Sequence, residues 1–337
     1  MHAPGMAGCS FALLLPLCQL PQPGTADDLV PPDGVGMVVA RGDSEPLLVP
    51  AGEVLEYVVL LDLGISDSRV GRYRLSAGVE PFIAGLPVPG QELEGDAQVG
   101  WFRGEASGHY LGFDLEHTLE TRILPRAWPR VIHRDTQGGK KGRRHELKLG
   151  EQEGATVSWS RKDSHCRGCE RREHFVDGLF TSPHHCTKCQ LARHRVWREP
   201  ETRAVPQDAI DMLSAIYLSR SMLRAGREQL TFPLASGNEV WNLNLIRGGR
   251  RAVETPAGTF SCREIRISPS TPEGEEQEED FRGLLGVNGT LHMWLEERTG
   301  VPVLIGGAVP FGPLDLDVSI ELTSFRGTPE EFRPSGR

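Results

Sequence analysis

Over most of this chain, apolar and polar residues alternate with a period of two, the pattern of half-buried strands. Val54, Tyr57, Val59 and Leu61 lie in an apolar run rich in β-branched and aromatic residues, and Tyr73 and Leu75 follow a turn at 64–71. Further strands are expected at Val99–Phe102, His109–Phe113, His145–Leu149 and Ala155–Trp159. Val240–Ile246, Leu291–Leu295 and Val301–Ile305 continue the pattern. In Leu314–Leu322 the residues Leu314, Leu316, Val318, Ile320 and Leu322 share one face. Turn residues separate these runs at hairpin intervals, and Gly248-Gly249 and Pro256–Gly258 are expected turns. The expectation is one mainly β, antiparallel domain over residues 48–326.

One segment breaks the alternation. At 207–225, Ile210, Leu213, Tyr217 and Arg220 recur at helical spacing, widened by Ala209, Met212, Ile216 and Leu223. Pro206 precedes the segment and Gly226 follows it, as expected at the two ends of a helix. The expected role is a helix covering a sheet. Arg220 sits at the edge of the apolar stripe. The expectation is that its stem lies along that stripe and its head reaches water; the alternative is a carboxylate partner on the sheet.

The chemistry-bearing residues are concentrated between 161 and 199. Cys166 and Cys169 form one C-x-x-C pair, Cys186 and Cys189 a second, and 16 residues lie between the pairs. That spacing matches a four-thiolate zinc site, since two tight turns bring four soft ligands together in a tetrahedron. Arg167, Arg171, Arg172, Lys188 and Arg193 offset the thiolate charge. A small zinc knuckle inserted into the β body is expected, with zinc structural because four cysteines leave no open position. Two disulfides, or redox chemistry at the C-x-x-C pairs, remain alternatives. His165, His184 and His185 are read as neighbours of the site and not as ligands.

The ends of the chain carry different signals. Phe11–Leu17 is a short apolar run, and Gly24-Thr25-Ala26 is a small-x-small cleavage pattern. Residues 1–26 are therefore expected to be a signal peptide, although no Lys or Arg precedes the run. Residues 27–47, rich in Pro, Gly and Asp, are expected to be a linker, and 327–337 a frayed tail. No run is long and apolar enough for a transmembrane helix. Removal of residues 1–26 leaves one cysteine outside the knuckle, Cys262, in an alternating segment where a buried structural thiol is expected. The basic loop 139–144 reads as a solvated hairpin tip and the acidic run 273–280 as a solvated loop. A net charge of -9 weighs against nucleic acid as the main partner.

Several stretches resemble a bacterial family known as domain of unknown function 3108. Asp211–Arg220 resembles its D-x-L-S-x-x-Y-x-x-R helix, and Thr255–Cys262 its T-P-x-G-x-F strand start. Met293–Glu297 with Val301-Pro302-Val303 is similar to its closing pattern, with Glu297 where an Asp is usual, and Ala51–Tyr57 fits its beginning. The resemblance runs over about 48–326, with the knuckle as an insertion. It implies an exported envelope protein built on antiparallel sheet, curved as a half-barrel like that of lipoprotein carriers, and it transfers no catalytic residue.

The expected function is a noncatalytic binding or scaffolding role in the periplasm or cell envelope, with an apolar ligand held in the concavity of the sheet. The alternative is a thiol redox factor or metal-dependent enzyme using the C-x-x-C pairs. No nucleophile elbow, H-E-x-x-H or phosphate loop supports hydrolase chemistry.

Overall fold

The computed structural model describes residues 33, 35–41, 44–62, 64, 67–81, 98–110, 113–123, 131–138, 142–148, 155–166, 194–236, 239–271, 281, 283–284, 287–311 and 314–335. The first elements are β1 (Val35–Arg41), β2 (Ser44–Pro50), β3 (Gly52–Asp62), β4 (Asp67–Pro81), β5 (Gln98–Tyr110) and β6 (Phe113–Ile123). Then come β7 (Val131–Gln137), β8 (Arg143–Lys148), β9 (Ala155–Cys166), β10 (Arg195–Trp197) and β11 (Glu201–Val205). The helix α1 (Met212–Arg224) follows. The chain continues with β12 (Gln229–Ser236), β13 (Glu239–Thr255), β14 (Gly258–Ser270), β15 (Asn288–Glu296), β16 (Pro302–Phe311) and β17 (Leu314–Arg326).

The β-rich architecture with one packed helix is as expected. β1 and β2 pair in a small sheet of their own, and the other strands form one 15-stranded sheet. Its order is β10-β9-β8-β7-β6-β5-β4-β3-β17-β16-β15-β14-β13-β12, with β11 also pairing β9. The fold is two antiparallel meanders, one running outward from β3 and one running inward to β17, joined where β17 pairs β3. The sheet is open: its terminal strands do not pair with each other among the described residues.

Its curvature follows from what α1 touches. The helix packs against β5 and β6 on one arm and β12 at the far end of the other, with seven strands between β5 and β12 in the sheet. Only a sheet wrapped around the helix brings those arms to one element. The β1–β2 hairpin lies against α1 as well, through β2. Every residue from Met212 to Leu223 is consequently buried. A helix lying on a sheet would keep a wet polar face. Here the buried serines are small and bond locally, as where Ser219 Oγ donates to the Ala215 carbonyl at 2.8 Å. The core gathers around the helix, with Tyr57, Tyr73, Phe102 and Tyr217 among its largest buried side chains. The Phe102 and Tyr217 rings stack at 3.9 Å between centroids.

Several expectations are corrected. The helix begins at Met212, not 207, because Asp211 caps it and the preceding Ile210 makes a parallel bridge to Leu234. Residues 35–41 and 44–50, placed in or beside the expected linker, form a hairpin that buries Val39, Leu47 and Val49. His109–Phe113 is not one strand but spans the end of β5 and the start of β6. Gly248-Gly249 is no turn: β13 runs through it with a bulge between Arg247 and Arg250. A Cβ on Gly248 would collide with the Glu264 carboxylate, so the bulge needs glycine there. The tail is docked, not frayed: Phe332 is buried, stacks on Phe260 at 5.0 Å and meets Phe325 edge-on at 4.6 Å. The runs 1–26, 139–141 and 273–280 lie outside the described residues.

Candidate functional site

Two polar clusters are buried along α1, one at each end. At its N-terminus, Asp211 adopts the extended conformation of a cap, and its side chain accepts from the backbone N–H groups of Leu213 at 3.0 Å and Ser214 at 3.1 Å. Ser214 Oγ donates to the other carboxylate oxygen at 2.6 Å. From the sheet, Thr121 Oγ1 on β6 donates to Asp211 Oδ1 at 2.7 Å, and His133 Nδ1 on β7 lies 3.2 Å from that same oxygen. His133 Nδ1 is also 2.9 Å from Thr121 Oγ1. Because that hydroxyl directs its proton to Asp211, it accepts from the imidazole, which fixes a proton on Nδ1.

The electrostatics follow from this geometry. Burial alone would raise the Asp211 carboxyl, but the His133 charge and the hydrogen bonds from His133, Ser214 and Thr121 hold it at about 2. Burial alone would lower His133, and the Asp211 charge and hydrogen bond overcome that and raise it above its ordinary value.

A second His–carboxylate pair lies beside the first. His117 Nε2 on β6 is 2.5 Å from Asp135 Oδ1 on β7, and Asp135 stands opposite His145 of β8 in the ladder. Burial opposes ionisation of Asp135, yet the His117 hydrogen bond, with the charges of His117, His145 and His133, lowers its pKa. These side chains line a cavity of about 40 Å³ with Leu119, Leu147, Val157 and Met212. That volume holds one or two waters and falls far below the roughly 300–1,000 Å³ of ligand pockets. No group of three or more His, Cys, Asp or Glu suited to a metal is found among the described residues.

Toward the other end of the helix, Arg220 Nη1 donates to Glu53 Oε1 at 2.6 Å, with both side chains buried. Tyr217 Oη donates to the same oxygen at 3.4 Å. Arg220 therefore pairs with a carboxylate on the sheet, which corrects the expectation that it reaches solvent. The physical reason is burial: Gly300 packs against the Arg220 backbone and Cβ, the residue is only 6% exposed, and an unpaired buried charge would be costly. Glu53 occupies an inward position of β3, between Gly52 and Val54, where alternation calls for an apolar residue.

The helix motif thus serves architecture. Asp211 caps, Leu213 fills the core, Ser214 returns to the cap, and Tyr217 and Arg220 converge on Glu53. Cys262 is a buried free thiol, as expected, with its pKa pushed up to about 12 by burial and the nearby Glu296 charge. Of the expected zinc ligands, Cys166 ends β9, where its backbone pairs with Arg195 of β10. Cys169, Cys186 and Cys189 lie outside the described residues. Residues 167–193 connect β9 to β10 at one end of the sheet.

Sequence reasoning missed Glu53, Thr121, His117, His133, Asp135 and His145. The signal for His133, Asp135 and His145 is weak but present. His133 and Asp135 are two apart, as are His145 and Leu147, so each pair shares a strand face. Which face turns inward depends on the register.

Comparison with known proteins gives a family match over part of the chain and a set of distant structures. The model of DUF3108, a protein family of unknown function, matches residues 187–319. The match supports the resemblance over the helix and the second meander, and it starts inside the second C-x-x-C pair. No curated protein matches the chain. Among solved structures, a β-barrel-like protein of the DUF1849 domain of unknown function from Brucella abortus is similar at a TM-score of 0.43 and 11% identity, over 82% of this chain and 97% of that one. A protein described as exported, with a YmcC-like fold, from Bacteroides fragilis gives a TM-score of 0.29 at 8% identity, over 82% and 97%. A protein described as a lipoprotein, from Parabacteroides distasonis, gives 0.30 at 8%, over 82% and 95%.

Proposed function

We propose that this chain is an exported cell-envelope protein with a noncatalytic scaffolding role, whose four-cysteine knuckle is held by structural zinc. The observation that carries the scaffolding reading is the occupied concavity. The curved sheet encloses its own helix, and the interior hollow beside α1 amounts to about 40 Å³. That hollow is too small for the expected apolar ligand. The buried polar groups at both ends of the helix are paired with one another, an arrangement that fixes a body and performs no reaction. The work of such a body falls to its surface and to the knuckle. Export rests on the apolar run and the Gly24-Thr25-Ala26 pattern. No helix among the described residues is long and apolar enough to cross a membrane, which says nothing of strand-built spans.

Two measurements on protein from the native host test this reading. N-terminal sequencing is expected to begin at Asp27, and an intact Met1 on cytoplasmic protein would overturn export. Metal analysis with a thiol count is expected to give one zinc per chain. Paired oxidised cysteines without metal would overturn the zinc site, and a metal-dependent turnover lost on mutation of Cys166 and Cys186 would favour the enzyme alternative.

A further inference from the structure

Charge is divided unevenly along this chain. Residues 131–199 contain 15 Lys and Arg against 9 Asp and Glu, while the remaining residues contain 22 against 37. A segment with six surplus positive charges is thus joined to a body with 15 surplus negative ones. Among the described residues of that segment, eight Lys and Arg stand against four Asp and Glu, and they lie together because β7, β8, β9 and β10 are consecutive strands at one end of the sheet.

The cations there are placed on the surface in register. Arg143, Arg144, Arg161 and Arg198 are exposed. Arg143 stands directly opposite Arg161 across β8 and β9, on the face turned away from Arg144 and Lys162, because successive strand residues alternate. Like charges facing each other across a ladder weaken a sheet. Arg143 is stabilised by a neutral partner, donating through Nε to Gln137 Oε1 at 2.7 Å. Nearby, Trp197 pairs with Lys162 in the β9–β10 ladder. The Arg144 guanidinium lies 3.9 Å from the centre of the Trp197 ring, and Lys162 Nζ lies 5.3 Å from it.

We infer that this end of the sheet docks on an anionic phospholipid surface, with lipid phosphates bound by Arg144 and Lys162 around Trp197. The state of the Trp197 ring decides between lipid and nucleic acid. Single-strand binders keep open aromatic faces on which bases stack. Here the ring is already engaged by two cations. An indole flanked by Arg and Lys on the strand surface fits the bilayer interface, where Trp sits at headgroup level and the cations reach phosphates. The acidic remainder of the molecule is repelled by the same surface, so approach is oriented with this end first. The inference deepens the envelope reading and names a partner for it. Vesicle binding by purified protein does not depend on whether export occurs, so the two fail separately.

The test is co-sedimentation of the purified chain, from residue 27 onward and with its metal content unaltered, with vesicles of phosphatidylcholine containing or lacking phosphatidylglycerol. Binding is expected only to the anionic vesicles, and is expected to be lost as salt rises from about 0.1 M to about 0.5 M. The pair Arg144→Glu and Lys162→Glu is expected to weaken it at least about tenfold, as removal of near-surface cations does. Arg144→Gln with Lys162→Gln guards against misfolding, because it keeps polar side chains and adds no repulsion, and it is still expected to weaken binding. Arg326→Glu with Arg333→Glu, which changes the charge equally on β17 and the tail, is expected to leave it unchanged. Equal binding to neutral vesicles, or wild-type binding by both arm variants, would overturn the inference. Tighter binding to a single-stranded oligonucleotide at matched phosphate concentration would overturn it in favour of nucleic acid.

Discussion

Glu53 and Arg220 carry the largest single-residue consequences. Glu53 is fully buried and its second oxygen, Oε2, has no partner among the described residues, so Arg220 provides most of its compensation. Arg220→Met is expected to destabilise the fold by about 3–5 kcal/mol, the cost of leaving one buried charge alone. Adding Glu53→Leu is expected to recover most of that loss. Urea unfolding of the single and double variants checks both, and equal stability of Arg220→Met and the parent would show that the pair is not buried. Asp211 and His133 set the pH dependence. Asp211 lies below its ordinary 3.8 at about 2, so its contribution is fully present above 3.8 and is lost as pH falls through 2. His133 lies above its ordinary 6.5, so its contribution is fully present below 6.5 and is lost as pH rises through the folded value. Stability is therefore expected to be greatest between these limits, with the Asp211 limb worth about 2 kcal/mol. Asp211→Asn should flatten the acid limb and His133→Gln the alkaline one in urea midpoints measured against pH.

Among the elements, the C-terminal tail shows how far a few residues can depart from what composition implies. With Pro329 and Pro334 set among Gly, Glu and Arg it reads as polar and loose. Yet Phe332 inserts between Phe260 and Phe325, and the Ser335 N–H donates to the Thr259 carbonyl at 2.6 Å. Phe332→Ala is expected to cost about 3 kcal/mol, the usual loss for a large buried aromatic. A thermal transition unchanged from the parent would place that ring outside the core. The helix was legible in part. Its period of 3.6 and the glycine after it, Gly226 at φ 68°, were visible in advance. Its first turn was not, because Ala209 and Ile210 are apolar at helical spacing but are buried for another reason: the Ile210 backbone pairs with Leu234.

For the whole molecule, the zinc knuckle and the body are expected to be separable. The sheet has its own core around α1, whereas the 161–199 stretch is polar and short in sequence, so on the proposed zinc reading metal binding would supply its folding energy. Replacing Cys166 and Cys186 by Ser is expected to abolish zinc binding while the circular dichroism of the sheet and its thermal transition persist. Global unfolding of that variant would make the knuckle part of the core. The two meanders are joined by the β17–β3 ladder, so limited proteolysis is expected to nick the knuckle or the acidic run near 273–280 and leave the fragments associated. Fragments that separate and remain folded would divide the chain into two domains.

Period-two patterning determined most of the strands, the antiparallel class and the single helix, because local backbone geometry sets which side chains share a face. Val318, Ile320 and Leu322 are buried as that alternation requires. The spacing of the four cysteines determined a candidate metal site by the same local logic. Only the tertiary structure decided how the sheet curves, and hence that α1 is enclosed and not laid on a surface. That choice rests on contacts between residues far apart in sequence, such as Glu53 with Arg220 and Thr121 with Asp211. A carboxylate at an inward strand position looks like a fault in the pattern until the arginine that meets it is known. The register likewise brought His117, His133, Asp135 and His145 to one cavity, since a slip of one residue would have turned each of them outward.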